Sequence, residues 1–355
     1  MSQNILFSPT RLGDIDISNR IVMAPMTRSR ALPDGTPSPE AVEYYRQRAS
    51  AGLIITEGTY PSETGKGYCR TPGLVSEQHR AGWQRVVDAV KSRNGALVMQ
   101  LMHCGRIVSH DNQAENAECV APSAIPAKGK MYTDTRGMVD FDTPRALLTE
   151  EIPKVIEEYR QAAQTAFDIG VDGVELHATS GYLPAQFLSS GSNQRSDQYG
   201  GNVSNRIRFV VEALESLIAV RGSGRVGLRI CPGNPFNDLH DDNPDETFSE
   251  LLKAINPMKL AYLHVIRMPS GPVDNLALAR RHFTGPLIVN DSYSATEATT
   301  TLTTGEAQAV SFGRDFIANP DLVERLQQQR DLSPFDHSTL YTSGATGYTD
   351  YPPAP

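Results

Sequence analysis

T-E-E-I-P-K-V-I-E-E-Y-R-Q-A-A-Q-T-A-F-D-I-G-V-D-G-V-E-L-H-A-T-S-G-Y-L, residues 149–183, holds one complete helix-to-strand unit. Ile152, Val155, Ile156, Tyr159, Ala162, Ala163, Ala166 and Phe167 follow the three-and-four spacing of a helix with one apolar stripe. Thr149 stands where a start signal belongs, and Gly170 where a stop belongs. Gly173–His177 then reads as a buried strand. At its end a histidine, a hydroxyl and a tyrosine crowd into His177-Ala178-Thr179-Ser180-Gly181-Tyr182-Leu183.

The same unit recurs along the chain. Strands are expected at Arg20–Ala24, Gly52–Thr56, Ala96–Leu101, Gly173–His177, Val226–Ile230, Ala261–Val265, Pro286–Val289 and Ala309–Phe312. Helix signals fall between them. Ser38 precedes Pro39, Ser294-x-x-Glu297 forms a capping box, and Asn319-Pro320 is expected to open a helix ending near Arg330. About eight β-α repeats without a linker predict an α/β fold, a (β/α)8 TIM barrel in one domain over residues 1–355. A doubly wound open sheet is the alternative. The longest stretch without periodicity, residues 104–145, follows the third strand and is expected to be a capping or lid segment. The tail, 341–355, reads as a surface segment.

Composition narrows the function. The 355 residues carry 33 basic and 41 acidic side chains, a net of −8, which argues against a nucleic-acid or anionic-membrane surface. No apolar run approaches the roughly 20 residues that span a bilayer, and no secretory pattern opens the chain, so a cytoplasmic location is expected. Cys69, Cys104, Cys119 and Cys231 show no C-x-x-C pairing and read as reduced thiols.

Barrel chemistry collects at the C-terminal ends of the strands. Those ends offer Pro25-Met26-Thr27, Glu57-Gly58, Gln100 with His103, His177, Arg229, His264, Asn290 and Gly313-Arg314. No lysine lies at a strand end, so Schiff-base aldolases are excluded. No His-x-His follows the first strand and no carboxylates cluster there, so no metal is expected. The remaining donors, acceptors and single cation suit a planar polar heterocycle with a phosphate tail. Asn290-Asp291-Ser292 and Phe312-Gly313-Arg314, after the last two strands, would take the phosphate. Gly222-Ser223-Gly224-Arg225-Val226-Gly227 matches G-x-G-x-x-G but runs from helix to strand, the reverse of the dinucleotide order, and reads as a turn.

Longer blocks now carry a resemblance: N-R-I-V-M-A-P-M-T-R at 19–28, E-Y-Y-R-Q-R-A-S-A-G-L-I-I-T-E at 43–57 and V-M-Q-L-M-H-C-G-R-I at 98–107. The His177–Leu188 segment, N-Q-R-S-D-Q-Y-G-G-N-V-S-N-R at 193–206, S-F-G-R-D-F-I-A-N-P-D-L at 311–322 and G-Y-T-D-Y-P at 347–352 extend it nearly end to end. The sequence resembles the Old Yellow Enzyme family of FMN-dependent ene-reductases. The resemblance implies FMN held by Pro25, Met26, Thr27, Gly58, Gln100, Arg229, Gly313 and Arg314, with Asn290 and Ser292 at the phosphate end. It implies NADPH or NADH as hydride donor, and an activated C=C bond in an enone or nitro compound as acceptor. His177 and Ser180 would hold the substrate oxygen, Tyr182 would protonate the α-carbon, and Tyr68, Met102 and Tyr341 would line the pocket.

Three positions depart from the family. Ser180 replaces the usual His or Asn, Met102 stands where many members have Trp, and Asn290-Asp291-Ser292 replaces a glycine-rich turn. Two further readings share the scaffold: a reductase of nitro compounds or nitrate esters or a flavin-dependent isomerase, and a flavin-binding protein without turnover. The expected partner is a small molecule, with the protein acting as a monomer or homodimer.

Overall fold

Eight short strands, buried except at Ile266, pair in parallel and close on themselves in the computed structural model, which describes residues 4–354. Residues 1–3 and Pro355, the ends of the expected span, lie outside it. In chain order the barrel strands are Ile21–Met23, Leu53–Ile55, Leu97–Leu101, Gly173–His177, Val226–Ile230, Tyr262–Ile266, Leu287–Asn290 and Ala309–Phe312. Closure comes from pairing of the eighth strand with the first, Val310 opposite Ile21, while the third strand pairs with the fourth, Gln100 opposite Glu175. Each strand is followed by helix, so the open-sheet alternative is excluded.

Local signals explain most helix boundaries. The Ser38 hydroxyl accepts from the Ala41 N–H ahead of helix Pro39–Gln47. Ser294 and Glu297 form the reciprocal capping box of helix Ala295–Thr303. Helix Ile152–Asp168 buries all eight stripe residues and stops before Gly170, whose φ of 94° suits glycine. Thr149 does not cap it; the helix is entered from Glu151, which makes no side-chain cap. The helix expected from Asn319-Pro320 is also corrected. Helix Arg314–Ala318 ends before the proline, and Leu322–Gln327 begins after Asp321. Gly222–Arg225 is a connector with a single 3-10 turn at Ser223–Arg225, and Val226 and Gly227 already belong to the fifth barrel strand.

Three features were not anticipated. An N-terminal hairpin, Thr10–Leu12 with Ile15–Ile17, plugs one end of the barrel: Leu12, Ile15 and Ile17 pack with Val22, Leu53, Ile55, Val98 and Ile288. Segment 104–145 is not irregular throughout, because Lys130–Thr133 and Gly137–Asp140 form an antiparallel hairpin. The tail is not simply a surface segment either. Tyr348 is fully buried and stacks on Tyr44 with ring centres 4.1 Å apart. The guanidinium groups of Arg28 and Arg30 donate to the carbonyls of Leu340, Gly344, Thr346 and Gly347 and strap the tail down.

Candidate active site

The C-terminal strand ends surround a cavity of about 1570 Å³. That exceeds the roughly 300–1,000 Å³ of a single-ligand pocket, so there is room for two molecules face to face. All the residues singled out from the sequence for cofactor, catalysis and pocket lining border it: Pro25, Met26, Thr27, Gly58, Gln100, Arg229, Asn290, Ser292, Gly313, Arg314, His177, Ser180, Tyr182, Tyr68, Met102 and Tyr341.

Other polar residues at the strand ends do not reach it. His103 is buried elsewhere, accepting from the Gly105 N–H at 3.1 Å with its other nitrogen 3.2 Å from Thr64. Burial pushes its pKa down to about 3. Glu57 lies under the tail, accepting the Arg28 N–H at 3.2 Å, and burial pushes its carboxyl up to about 7. His264 sits inside the barrel beneath the cavity floor.

Arg229 is the charged group of that floor. One Nη donates to Asn290 Oδ1 at 2.8 Å and the other to Pro25 O at 3.5 Å, while the buried Nε has no protein partner. The barrel register sets Arg229 beside His177, whose buried Nδ1 is also unpartnered. Burial, with Arg229 and His264 adding to it, holds the imidazole of His177 well below its usual pKa, so it is neutral. Buried donors and acceptors without partners are costly unless a ligand completes them.

The loop after His177 is locked from three sides. Gln186 donates to Gly181 O at 2.7 Å, Asn237 donates to Ser180 O at 2.7 Å, and Tyr182 N donates to Thr179 O. Ser180 holds φ at 59°, a left-handed conformation unusual for serine. Tyr182 lies against His177, ring centres 5.0 Å apart, and its hydroxyl meets that of Tyr68 at 3.3 Å. Burial, reinforced by Tyr68, keeps the Tyr182 phenol well above its normal pKa. It therefore holds its proton at neutral pH.

At the other end of the cavity, Arg314 donates to Ser292 Oγ at 3.0 Å and lies 3.6 Å from Asp291. Asp291 and Ser292 take φ values of 89° and 54° in succession. Arg267 fixes this turn by donating to both of their carbonyls at 2.7 Å.

The expected capping segment supplies the roof, but the sequence reading named none of its residues and missed one wall. Met131, Tyr132 and Met138 from the hairpin and Phe141 just after it border the cavity from above, and Phe236 and Asn237 border it from the loop after the fifth barrel strand. Arg70 joins the roof to the tail, pairing with Asp134 of the hairpin and donating to Tyr341 O at 2.8 Å. The hairpin was legible in principle, since Met131-Tyr132-Thr133 and Gly137-Met138-Val139 flank the short polar turn Asp134-Thr135-Arg136.

Comparison with known proteins gives this cavity its context. Residues 5–333 match the model of the NADH:flavin oxidoreductase / NADH oxidase family. The chain belongs to that family. It is therefore an FMN-dependent oxidoreductase of the Old Yellow Enzyme type, with a reduced nicotinamide nucleotide as its hydride donor. A probable flavin mononucleotide-dependent alkene reductase of Leishmania infantum is 38% identical over 99% of this chain and 98% of its own length. A putative 12-oxophytodienoate reductase of Oryza sativa subsp. japonica is 38% identical over 98% of this chain and 92% of its own. Among solved structures, morphinone reductase in complex with tetrahydroNAD superposes with a TM-score of 0.95 at 43% identity, covering 99% of this chain and 98% of that one. The Old Yellow Enzyme homologue of Zymomonas mobilis gives 0.93 at 38% identity, covering 98% and 99%. Among the described residues, no group of three or more His, Cys, Asp or Glu could hold a metal ion, and no helix is long and apolar enough to cross a membrane.

Proposed function

We propose that the protein reduces the activated C=C bond of α,β-unsaturated carbonyl or nitro compounds, with His177 and Tyr182 as its catalytic residues. The observation that carries this reading is the pairing, on one cavity wall, of an incompletely hydrogen-bonded neutral imidazole with a phenol that retains its proton.

The residues present fit FMN. Gln100 offers a carboxamide to the pyrimidine edge, and Arg229 offers an unpartnered Nε and a permanent charge to the side where reduction builds negative charge. Pro25, Met26, Thr27 and Gly58 line the wall beside them, with Thr27 supplying a hydroxyl. Asn290, Ser292, Gly313 and Arg314 would hold the phosphate. Bound here, FMN would supply the hydride chemistry, with NADPH or NADH as donor and the substrate's β-carbon as acceptor.

His177 donates to the substrate oxygen as enolate or nitronate charge grows there, which lowers the barrier. Tyr182 delivers a proton to the α-carbon as general acid. Ser180 lies beside His177 with a short hydroxyl in place of a longer donor, so His177 carries most of the stabilisation. The apolar roof of Met131, Tyr132, Met138 and Phe141, acting as a cap, favours bulky apolar acceptors over small ones. Product analysis after anaerobic turnover with cyclohexenone and with a nitroarene tests the assignment. Cyclohexanone as the main product supports it; reduction of the nitro group alone contradicts it.

A further inference from the structure

Glu175 lies at the centre of the fourth barrel strand, fully buried, and touches neither the surface nor the cavity. Its carboxylate accepts from Gln100 Nε2 at 2.7 Å on one oxygen and meets His264 Nδ1 at 2.9 Å with the other. The far nitrogen of His264 is 2.8 Å from Ser311 Oγ. Four strands thus give up one apolar interior position each to a closed polar chain, Gln100–Glu175–His264–Ser311. Apolar side chains of similar volume commonly fill such a space at no loss of stability, so the cluster needs another explanation.

Hydrogen-bond chemistry supplies one. Burial favours protonation of Glu175, but His264, Arg229 and Gln100 outweigh it and hold its pKa below the usual carboxylate value. Burial keeps His264 neutral. Its Nδ1–H then donates to Glu175 and its Nε2 accepts from Ser311. An ionised carboxylate only accepts, so Gln100 must turn its amide –NH₂ toward Glu175. That leaves the carbonyl oxygen of Gln100 as the free group of a side chain that borders the cavity beside Arg229.

We propose that Glu175 is a positioning residue for the cofactor: it locks the Gln100 carboxamide in the orientation that offers an acceptor to the single N–H of the flavin pyrimidine ring. This rests on the FMN reading above. The two carbonyls of that ring are acceptors and match the donors of Arg229; the N–H between them needs an acceptor. A flipped Gln100 would set donor against donor. The buried negative charge also offsets part of the charge of Arg229, so Glu175 influences how readily the flavin is reduced.

The test measures FMN affinity, by quenching of flavin fluorescence on reconstitution of the deflavinated full chain, and the midpoint potential of the bound flavin. Glu175→Gln lets the two facing carboxamides flip together, so the FMN dissociation constant rises about tenfold or more. The potential moves positive, because Arg229 loses its counter-charge. Glu175→Asp keeps the charge and shortens the reach: affinity falls while the potential stays near wild type. This second variant also decides the matter if Glu175→Gln does not fold. A folded Glu175→Gln or Glu175→Asp protein with wild-type affinity overturns the proposal. In the wild type itself, NMR of the glutamine side-chain amides gives a third reading, with the Gln100 –NH₂ protected from hydrogen exchange. Exchange at solvent rates there overturns the proposal without any Glu175 variant. Wild-type protein that takes up no FMN overturns the flavin reading and this proposal together, whereas normal uptake with an indifferent Glu175 overturns this proposal alone.

Discussion

The hydroxyl oxygens of Tyr182 and Tyr68 lie 3.3 Å apart, with the rings perpendicular and the Tyr68 oxygen accepting in turn from Asn237 Nδ2 at 3.3 Å. The proposed proton donor is therefore held by a second phenol that is itself anchored to the loop after the fifth barrel strand. Tyr182→Phe should leave flavin reduction by the nicotinamide nearly unchanged and slow reoxidation by an enone about 10²–10⁴-fold. Tyr68→Phe removes only an orienting partner and should slow reoxidation by about tenfold or less. Stopped-flow measurement of the two half-reactions separates them; equal losses in both half-reactions for Tyr182→Phe would mark that residue as structural.

Ser180 already adopts a φ of 59°, which asparagine tolerates better than serine does. Ser180→Asn should therefore fold normally and add a longer donor beside His177. A well-placed donor of this kind is worth about 2.7–4 kcal/mol. We expect turnover of small cyclic enones to rise about tenfold or more and phenol ligands to bind more tightly. Steady-state kinetics and phenol titrations check this, and no gain in either would show that the Ser180 position does not face the substrate oxygen.

Asp291 carries a φ of 89° and sets a carboxylate 3.6 Å from Arg314, at the end of the cavity assigned to phosphate. Asp291→Gly relieves the backbone and removes a repulsive charge. FMN affinity should rise several-fold at low ionic strength, and the gain should shrink as salt screens the removed charge. Fluorescence titration at two salt concentrations checks it; unchanged affinity would place the phosphate away from this turn.

Glu57 is a buried carboxyl pushed up to about 7 by desolvation, which its Arg28 neighbour only partly offsets. Its unfolded value is near 4.3, so between those two pH values the folded state keeps a proton that the unfolded state has lost. Stability falls as pH rises through that window, by about 4 kcal/mol in all, and levels off above pH 7. Glu57→Gln cannot lose a proton, so its stability relative to wild type should climb between pH 5 and pH 8. Chemical denaturation at those two pH values measures the difference; a constant gap would mean that Glu57 titrates normally.

The barrel was legible because each unit declares itself locally. The stripe from Ile152 to Phe167, the stop at Gly170 and the run Gly173–His177 need no distant partner to be read. Pro25, Gly58, Gln100, His177, Arg229, Asn290 and Gly313 were legible because strand ends are where barrels place their chemistry, whereas Tyr68, Met102 and Tyr341 were named only through the family resemblance. What escaped depends on contacts far apart in sequence. Glu175 and Ser311 each look like a stray polar residue in an apolar run, His264 read as a strand-end group of the rim, and only the barrel fold joins them to Gln100. Tyr348 lies in a Gly- and Thr-rich tail with no periodic pattern, and its burial follows from Tyr44 and from Arg28 and Arg30 some three hundred residues earlier. Thr149 misled because a start signal also serves as an ordinary hydrogen-bonding hydroxyl, here to Asp197.

The central claim is hydride passage from a nicotinamide, through bound FMN, to an activated C=C bond. Anaerobic double-mixing, followed at the flavin absorbance band, tests it most directly. NADPH or NADH should bleach the purified yellow protein, and an enone added in the second mix should restore the colour as the saturated ketone forms. A protein that bleaches but is recoloured by no enone or nitroalkene would contradict the claim.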